Sequence, residues 1–194
     1  MSGRPIWDAL SGTIFWDALS GTIYWDVIWA AFEGAAMGTI ETKLNKMGYE
    51  LPPPFVFPKN NRTGCTQAGT LLLLSGHGLD LPKLPHVRQT GKFGVDITVE
   101  EGYATARAVA LTMMATIKAH CGDLDRVKRV LRLFGMCNCT ADFVQQPQVI
   151  DGASDLFFEL WGPEFGKHAR SAVGHAALPR GIAVEINGEF ELHA

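Results

Sequence analysis

The stretch that decides the fold lies near the C-terminus. Residues 168–174 read His-Ala-Arg-Ser-Ala-Val-Gly, residues 178–179 read Leu-Pro, and residues 184–186 read Val-Glu-Ile. Side chains alternate on both sides of the Leu-Pro pair, and a proline interrupts a strand because it has no N–H for the ladder. The stretch therefore predicts two strands joined by a turn. It places an arginine, Arg170, and a glutamate, Glu185, on partner strands.

The second of these strands has one apolar face and one polar face. The apolar residues are Ile182, Val184, Ile186, Phe190 and Leu192, and the polar residues are Glu185, Asn187, Glu189 and Glu191. Glu185 should thus point away from the core, where it can meet a ligand or water. The planar fork of an arginine suits bidentate binding of a carboxylate, which makes Arg170 a candidate ligand-binding residue. The alternative is that Arg170 and Glu185 pair with each other, or across a subunit interface.

Upstream, the hydrophobic pattern changes from strand to helix and back. A leucine-rich strand is predicted within 66–75, further strands over 126–137, 171–177 and 182–192, helices from Thr98 to Gly122 and over 148–161, and a loop over 79–94. The first helix begins with a capping box, Thr98 followed by Glu101. This order predicts an α+β fold: a mixed sheet with both helices packed on one face.

These motifs resemble the signature of the RidA/YjgF family, also called the L-PSP endoribonuclease or chorismate-mutase-like family. The resemblance covers 37–194 and implies a homotrimer in which Arg170 binds a substrate carboxylate in a cleft between subunits. It further implies that Ser75 and Gly76 line the same cleft and that Glu185 orients or activates water. His77 stands where the family often has glutamine, and it is a candidate proton relay or a passive hydrogen-bonding residue.

Several positions depart from the imine-deaminating branch and indicate a divergent subgroup. His168 replaces the proline two positions before the arginine, and Ala172 replaces the cysteine two positions after it. The family tyrosine on the first strand falls at Arg62, and the asparagine of the second helix falls near Gly152 or Ala153. Arg62 could supply a second cation for a dianionic ligand, or it could be a solvated loop residue.

The composition limits the number of domains, the kind of partner and the cellular compartment. The chain has 194 residues, a net charge of −3 and 47% hydrophobic residues, which suit one domain plus an appendage. The acidic balance argues against nucleic acid or an anionic membrane as the main partner, and no apolar run is long enough to span a bilayer. Four cysteines do not form a secreted disulfide framework, and we expect a cytoplasmic protein with reduced thiols.

No cofactor or metal site is predicted. The sequence contains no phosphate loop, no dinucleotide fingerprint and no Gly-x-Ser-x-Gly motif. Cys137 and Cys139 lack a second pair of ligands nearby, so zinc is not expected. A basic cluster could contact RNA, and its members are Arg126, Lys128, Arg129 and Arg132. Because the protein as a whole has a negative net charge, a solvated strand edge or a subunit interface fits this cluster better.

The N-terminus contains a nine-residue repeat, Trp-Asp-Ala-Leu-Ser-Gly-Thr-Ile followed by an aromatic residue, over 7–15 and again over 16–24. A period of nine puts successive copies on opposite faces of a helix or a strand. Residues 1–36 are therefore interpreted as an extension, either a duplicated or non-native segment or a docking or targeting segment.

Three functional hypotheses follow. The first is a protein that binds a small carboxylated metabolite in an inter-subunit cleft and hydrolyses reactive enamines or imines. The second is a non-catalytic metabolite-binding or regulatory protein. The third is an endoribonuclease that uses the basic strand, for which salt-sensitive RNA binding would be the sign.

Overall fold

A five-stranded sheet covered by two long helices forms the frame of the protein in the computed structural model, which describes residues 38–57 and 61–194. The nine-residue repeat and the rest of the predicted extension lie outside the described residues. In chain order the elements are α1 (Thr39–Lys46), β1 (Cys65–Ala68), β2 (Leu71–His77), α2 (Val99–Cys121), β3 (Val127–Asn138), α3 (Gln146–Phe165), β4 (Ala169–His175) and β5 (Val184–Leu192).

The strands lie side by side in the order β1-β2-β5-β3-β4. Only the β3–β4 pair is parallel among the four strand pairs of the described chain. The predicted fold, a mixed sheet with both long helices packed on one face, is confirmed. β5 lies in the middle of the sheet, and the predicted alternation holds: Val184, Ile186 and Phe190 are fully buried while Glu185 is half-buried.

The helix α2 begins where the capping box predicted. The Thr98 hydroxyl accepts a hydrogen bond from the Glu101 N–H at 3.1 Å, and the Thr98 N–H donates to the Glu101 carboxylate at 2.9 Å. The helix packs closely against α3 at Gly152, where an added β-carbon would lie 2.0 Å from the Tyr103 carbonyl oxygen. Any larger residue at Gly152 would therefore push the two helices apart.

The leucine-rich strand predicted within 66–75 corresponds to β2, and it is the second strand of a hairpin that the sequence did not predict. β1 and β2 pair antiparallel, with Ala68 opposite Leu71, and Gly69 takes a φ of +60° in the turn between them. The hairpin carries the end of β2, residues Ser75 to His77, to the edge of a cavity. None of the helices within the described ranges has the length and apolar character needed to cross a membrane.

Candidate ligand-binding site

A cavity of about 370 Å³ opens where β2 ends and β5 begins. Five of the six predicted site residues line it: Arg62, Ser75, Gly76, His77 and Glu185. The fold brings Ser75, Gly76, His77 and Glu185 together because β2 and β5 are paired neighbours, with a register shift between Leu74 and His77 at this point of the pairing. The sixth predicted residue, Arg170, does not line this cavity.

The carboxyl group of Glu185 lies directly beside the Gly76 backbone. A β-carbon on Gly76 would be 1.9 Å from Oε1 of Glu185, so only glycine leaves room for this side chain. Within the described chain no ion pair or hydrogen bond holds the carboxyl group. Burial raises the pKa of Glu185, an effect that the nearby His175 partly offsets. A partly desolvated carboxyl group without a partner is a candidate proton acceptor.

His77 is 2% exposed, and both of its ring nitrogens already have protein partners. Nδ1 lies 2.7 Å from the Ser75 carbonyl oxygen and Nε2 lies 2.8 Å from the Thr116 hydroxyl oxygen. A carbonyl can only accept, so Nδ1 carries the proton. Burial lowers the pKa of His77, which favours the neutral ring. In this arrangement neither nitrogen is free to exchange a proton with a ligand.

Ser75 also uses its donors within the protein. Its hydroxyl donates to the Thr63 carbonyl oxygen at 2.7 Å, and its N–H donates to the Gly64 carbonyl oxygen at 2.9 Å. These bonds fasten the segment that carries Arg62 to the end of β2. The hydroxyl oxygen keeps lone pairs that can accept from a ligand.

Arg62 stacks on an aromatic wall. Its guanidinium carbon lies 5.3 Å from the centre of the Phe57 ring, a cation–π arrangement, and Phe57 meets Phe55 edge to face at 4.8 Å. Phe55, Phe57 and Arg62 also border a second cavity on the other side of this wall, of about 400 Å³. Stacking uses the face of the guanidinium and leaves its N–H edge available.

Arg180 is the site residue that the sequence analysis missed. It lines the cavity with a φ of +56°, in the left-handed region that few non-glycine residues occupy. Backbone bonds fix its turn: the Gly181 N–H donates to the Leu178 oxygen at 3.0 Å and the Ile182 N–H donates to the Pro179 oxygen at 3.2 Å. The sequence feature that could have identified Arg180 is its position directly after the Leu-Pro pair.

Arg170 lies on β4, at the edge of the sheet and separated from β5 by β3. Its Nη1 donates to the Asp151 carboxylate at 2.6 Å and to the Ser154 hydroxyl oxygen at 3.1 Å, both on α3. Ser154 is also 3.0 Å from Nε2 of His168. Within one chain, therefore, Arg170 belongs to a second cluster with Asp151, Ser154 and His168.

One acidic cluster has the spacing of a metal site, and its members are Glu41, Asp123 and Asp125. The Asp125 carboxylate accepts the Thr39 and Ile40 N–H groups at 2.6 and 2.9 Å and so caps α1. Lys118 lies 3.4 Å from Glu41. Two members of this cluster thus have roles within the protein: Asp125 holds the start of α1, and Glu41 pairs with Lys118.

The two cysteines that were considered as zinc ligands are buried in the core. Cys137 and Cys139 are both free thiols, and burial raises the pKa of Cys137 to about 12. Among the described residues, neither cysteine belongs to a group of three or more His, Cys, Asp or Glu side chains close enough to share a metal ion.

Most residues of the basic cluster contact other residues of the protein. Lys128 pairs with Glu191 at 2.8 Å and Arg132 with Glu189 at 3.1 Å, while Arg129 stacks on Phe165. Paired cations bind phosphate less strongly than free ones. The contacts of these basic residues therefore do not support the endoribonuclease hypothesis.

The fold and the cavity define a class: α+β proteins whose cleft, at the end of a mixed sheet, carries arginine and glutamate side chains. The chain belongs to the YjgF/chorismate mutase-like family, whose model matches residues 41–184 and whose members are described as proposed endoribonucleases.

Individual relatives agree with this assignment. The chain is 42% identical to Protein TCP17 of Trypanosoma cruzi over 81% of its own length and 97% of that protein. It is similar to the crystal structure of Atu1372 from Agrobacterium tumefaciens, of unknown function, with a TM-score of 0.70 and 36% identity, covering 80% of this chain and 93% of that one. A proposed endoribonuclease from Shewanella oneidensis gives a TM-score of 0.71 and 33% identity, covering 80% of this chain and 100% of that one.

Proposed function

We propose that the protein is a cytoplasmic homotrimer that binds a small carboxylated metabolite between subunits and hydrolyses reactive enamines or imines. The observation that carries this proposal is the division of the predicted site into two halves. Glu185 and its neighbours line a cavity at one place on the sheet, whereas Arg170 lies on the edge strand β4. A site assembled from two copies of the chain joins the two halves.

The edge strand supports such an assembly. β4 pairs with β3 on one side, and no strand of the described chain covers its other side. An uncovered edge strand is a site for association unless it is protected. The four cysteines are all free thiols, which fits a reducing cytoplasm.

Arg170 is prepared to bind a carboxylate. Asp151 and Ser154 both occupy Nη1, while Nε and Nη2 have no hydrogen bond to any described residue. Nε and Nη2 form one edge of the guanidinium, and that edge can hold the two oxygens of a carboxylate in a bidentate pair. The side chain is 22% exposed, so a ligand bound there is sheltered from water.

Glu185 is the group that would handle the proton. Its carboxylate takes a proton from water while the water oxygen bonds to the imine carbon. The same proton then passes to the nitrogen to give a carbinolamine. Glu185 next carries the hydroxyl proton of the carbinolamine to the nitrogen, the carbon–nitrogen bond breaks, and ammonia leaves behind a ketone. The reaction needs a positioned water and a base of raised pKa, which fits a desolvated carboxyl group. His77 has no part in this step, because both of its ring nitrogens are held.

The test is a deaminase assay with freshly generated 2-aminoacrylate. Arg170→Ala and Glu185→Gln should each lose most of the turnover, while the exposed Lys46→Ala should keep it. Trimers assembled from a mixture of the two inactive variants should regain activity, because some of their sites combine an intact Arg170 with an intact Glu185.

The outcomes separate the hypotheses. Full activity in Arg170→Ala would overturn the carboxylate site, and no recovery in mixed trimers would overturn the shared cleft. If wild type shows no turnover but small carboxylates raise its melting temperature, the protein is a binding protein rather than a deaminase.

A further inference from the structure

We infer that the ligand carries a second anionic group, so that the preferred class is a small dicarboxylate or a carboxylate with a distal acidic group. Arg62 and Arg180 would hold that second group. The inference rests on the proposed function, in which Arg170 of a neighbouring subunit holds the first carboxylate, and it narrows the substrate class of the same site.

The first observation is that two arginines share one cavity without acidic partners. Neither Arg62 nor Arg180 takes part in any of the six ion pairs formed among residues 38–57 and 61–194. Among the described residues that line the cavity, Glu185 alone carries a carboxyl group, and no ion pair joins it to either arginine. The cavity therefore has an excess of positive charge, which an anion can neutralise.

The second observation is that both arginines are oriented before any ligand binds. Stacking on Phe57 restricts Arg62, and the bonds between Ser75 and residues 63–64 fix the backbone next to it. Orientation in advance reduces the entropy lost on binding.

The turn fixes the backbone of Arg180. The Gly91 N–H donates to the Gly181 oxygen at 3.1 Å, which ties the turn to the loop over 79–94. A left-handed conformation is unfavourable for a non-glycine residue, and such residues concentrate at functional sites. Asparagine or glycine would fit that backbone better, yet the position holds an arginine that faces the cavity.

The third observation concerns size. The part of the site formed by one chain, a cavity of about 370 Å³, lies at the lower end of the usual range for small-molecule sites, which fits a compact metabolite. Phe55 and Phe57 supply an apolar wall for a short carbon chain between the two charged ends.

The experiment compares acids that differ by one carboxylate: butanoate with butanedioate, and 2-oxobutanoate with 2-oxoglutarate. Binding to the trimer is measured by calorimetry for wild type, Arg62→Gln, Arg180→Asn and Arg170→Ala. Asparagine is chosen at position 180 because it tolerates the left-handed region. Lys46→Gln removes one positive charge from an exposed residue of α1 that belongs neither to the cavity nor to the Arg170 cluster, and is the matched control.

Each diacid should bind at least about tenfold more tightly than its monoacid partner, the gain expected for one charge-assisted interaction. Arg62→Gln and Arg180→Asn should each reduce that preference several-fold and leave the monoacid affinity within about twofold, while Arg170→Ala should weaken all four acids. Lys46→Gln should change nothing.

Three results would overturn the inference. If the monoacids and diacids bind equally and both depend on Arg170, the proposed function stands and the second anionic group is wrong. If the preference for diacids persists in both the Arg62→Gln and the Arg180→Asn variant, other residues hold the group. If none of the four acids binds at millimolar concentration, the carboxylate site itself is wrong, and the inference fails with it.

Discussion

The Glu185 carboxyl group and the Gly76 α-carbon occupy adjoining space, so closely that a β-carbon at Gly76 would lie 1.9 Å from Oε1 and 2.8 Å from Cδ of Glu185. The contact depends on β2 and β5 being neighbours and on the register shift before His77. The absence of a side chain at position 76 is thus what sets the position of the candidate proton acceptor.

Substitution at Gly76 should separate function from folding. Gly76→Ala displaces the end of a flexible side chain, so we expect a change in unfolding free energy within about 1 kcal/mol. Turnover should fall by about 10- to 100-fold, because the carboxyl group moves away from its position. Chemical denaturation and the 2-aminoacrylate assay measure the two quantities.

Gly78 is the matched control for this prediction. Its added β-carbon would lie 2.4 Å from the Val184 carbonyl oxygen, which belongs to the backbone and cannot turn aside. Gly78→Ala should therefore lower the unfolding free energy by about 1–3 kcal/mol. Equal losses of stability in the two variants would contradict the distinction.

Glu185→Gln should make the protein more stable at neutral pH while it abolishes turnover. Burial raises the pKa of Glu185, so ionisation of this group disfavours the folded state, and stability is lost as pH rises through the folded pKa. Glutamine does not ionise, so the variant does not lose stability in this way. Because the side chain is half-exposed, the gain should be about 0.5 kcal/mol. Thermal melts across pH should show the gain disappearing below about pH 4.5, the ordinary pKa of a glutamate.

His77 should affect stability rather than the pH dependence of turnover. Its pKa is lowered by burial, so the unfolded chain takes up a proton first as pH falls, and stability decreases below about pH 6.5. One histidine can contribute up to about 1.4 kcal/mol per pH unit to that slope. His77→Gln should flatten the slope and lower stability at neutral pH by about 1–3 kcal/mol, since buried partners lose a bond. A shifted pH–rate profile for 2-aminoacrylate in His77→Gln would instead make His77 a proton carrier.

The parts of the fold that follow local rules could be predicted from the sequence. The capping box located the start of α2, and period-two alternation assigned the faces of β5, because each depends on residues close in the chain. The β1–β2 hairpin was missed because its turn, at Gly69 and Thr70, lacks the stronger Asn-Gly signal and because β1 has none of the leucines that mark β2.

The site was less predictable because it depends on long-range placement. Resemblance gave Glu185, Gly76 and Arg62, and the structure brings these three together. Arg180 was missed because its position in the cavity depends on a backbone turn that is hydrogen-bonded to the distant residue Gly91. No local sequence pattern predicts that bond. The hydrogen bonds of Arg170 to α3 were missed for the same reason: they join residues 16 and 19 positions apart across two elements.

The hydrogen bonds around Arg170 give a last prediction, concerning Ser154 and His168. Nδ1 of His168 lies 2.7 Å from the Gly166 carbonyl oxygen and so carries the proton, which leaves Nε2 to accept the Ser154 hydroxyl hydrogen. Burial lowers the pKa of His168, and the nearby Arg170 lowers it further, so the ring is neutral at neutral pH. The Ser154 oxygen is thereby oriented to accept from Nη1 of Arg170.

Ser154→Ala should loosen Arg170 without unfolding the protein. One lost hydrogen bond to a charged group corresponds to a several-fold weaker carboxylate affinity, and His168→Ala should act in the same direction. The ligand-free measurement is the rate at which phenylglyoxal modifies each arginine, followed by peptide mass spectrometry. The rate at Arg170 should rise several-fold in both variants, whereas Arg62 and Arg180 serve as internal controls and should not change. If the rate at Arg170 stays constant while its affinity for butanoate falls, Ser154 contacts the ligand directly, and its role is not to position the arginine.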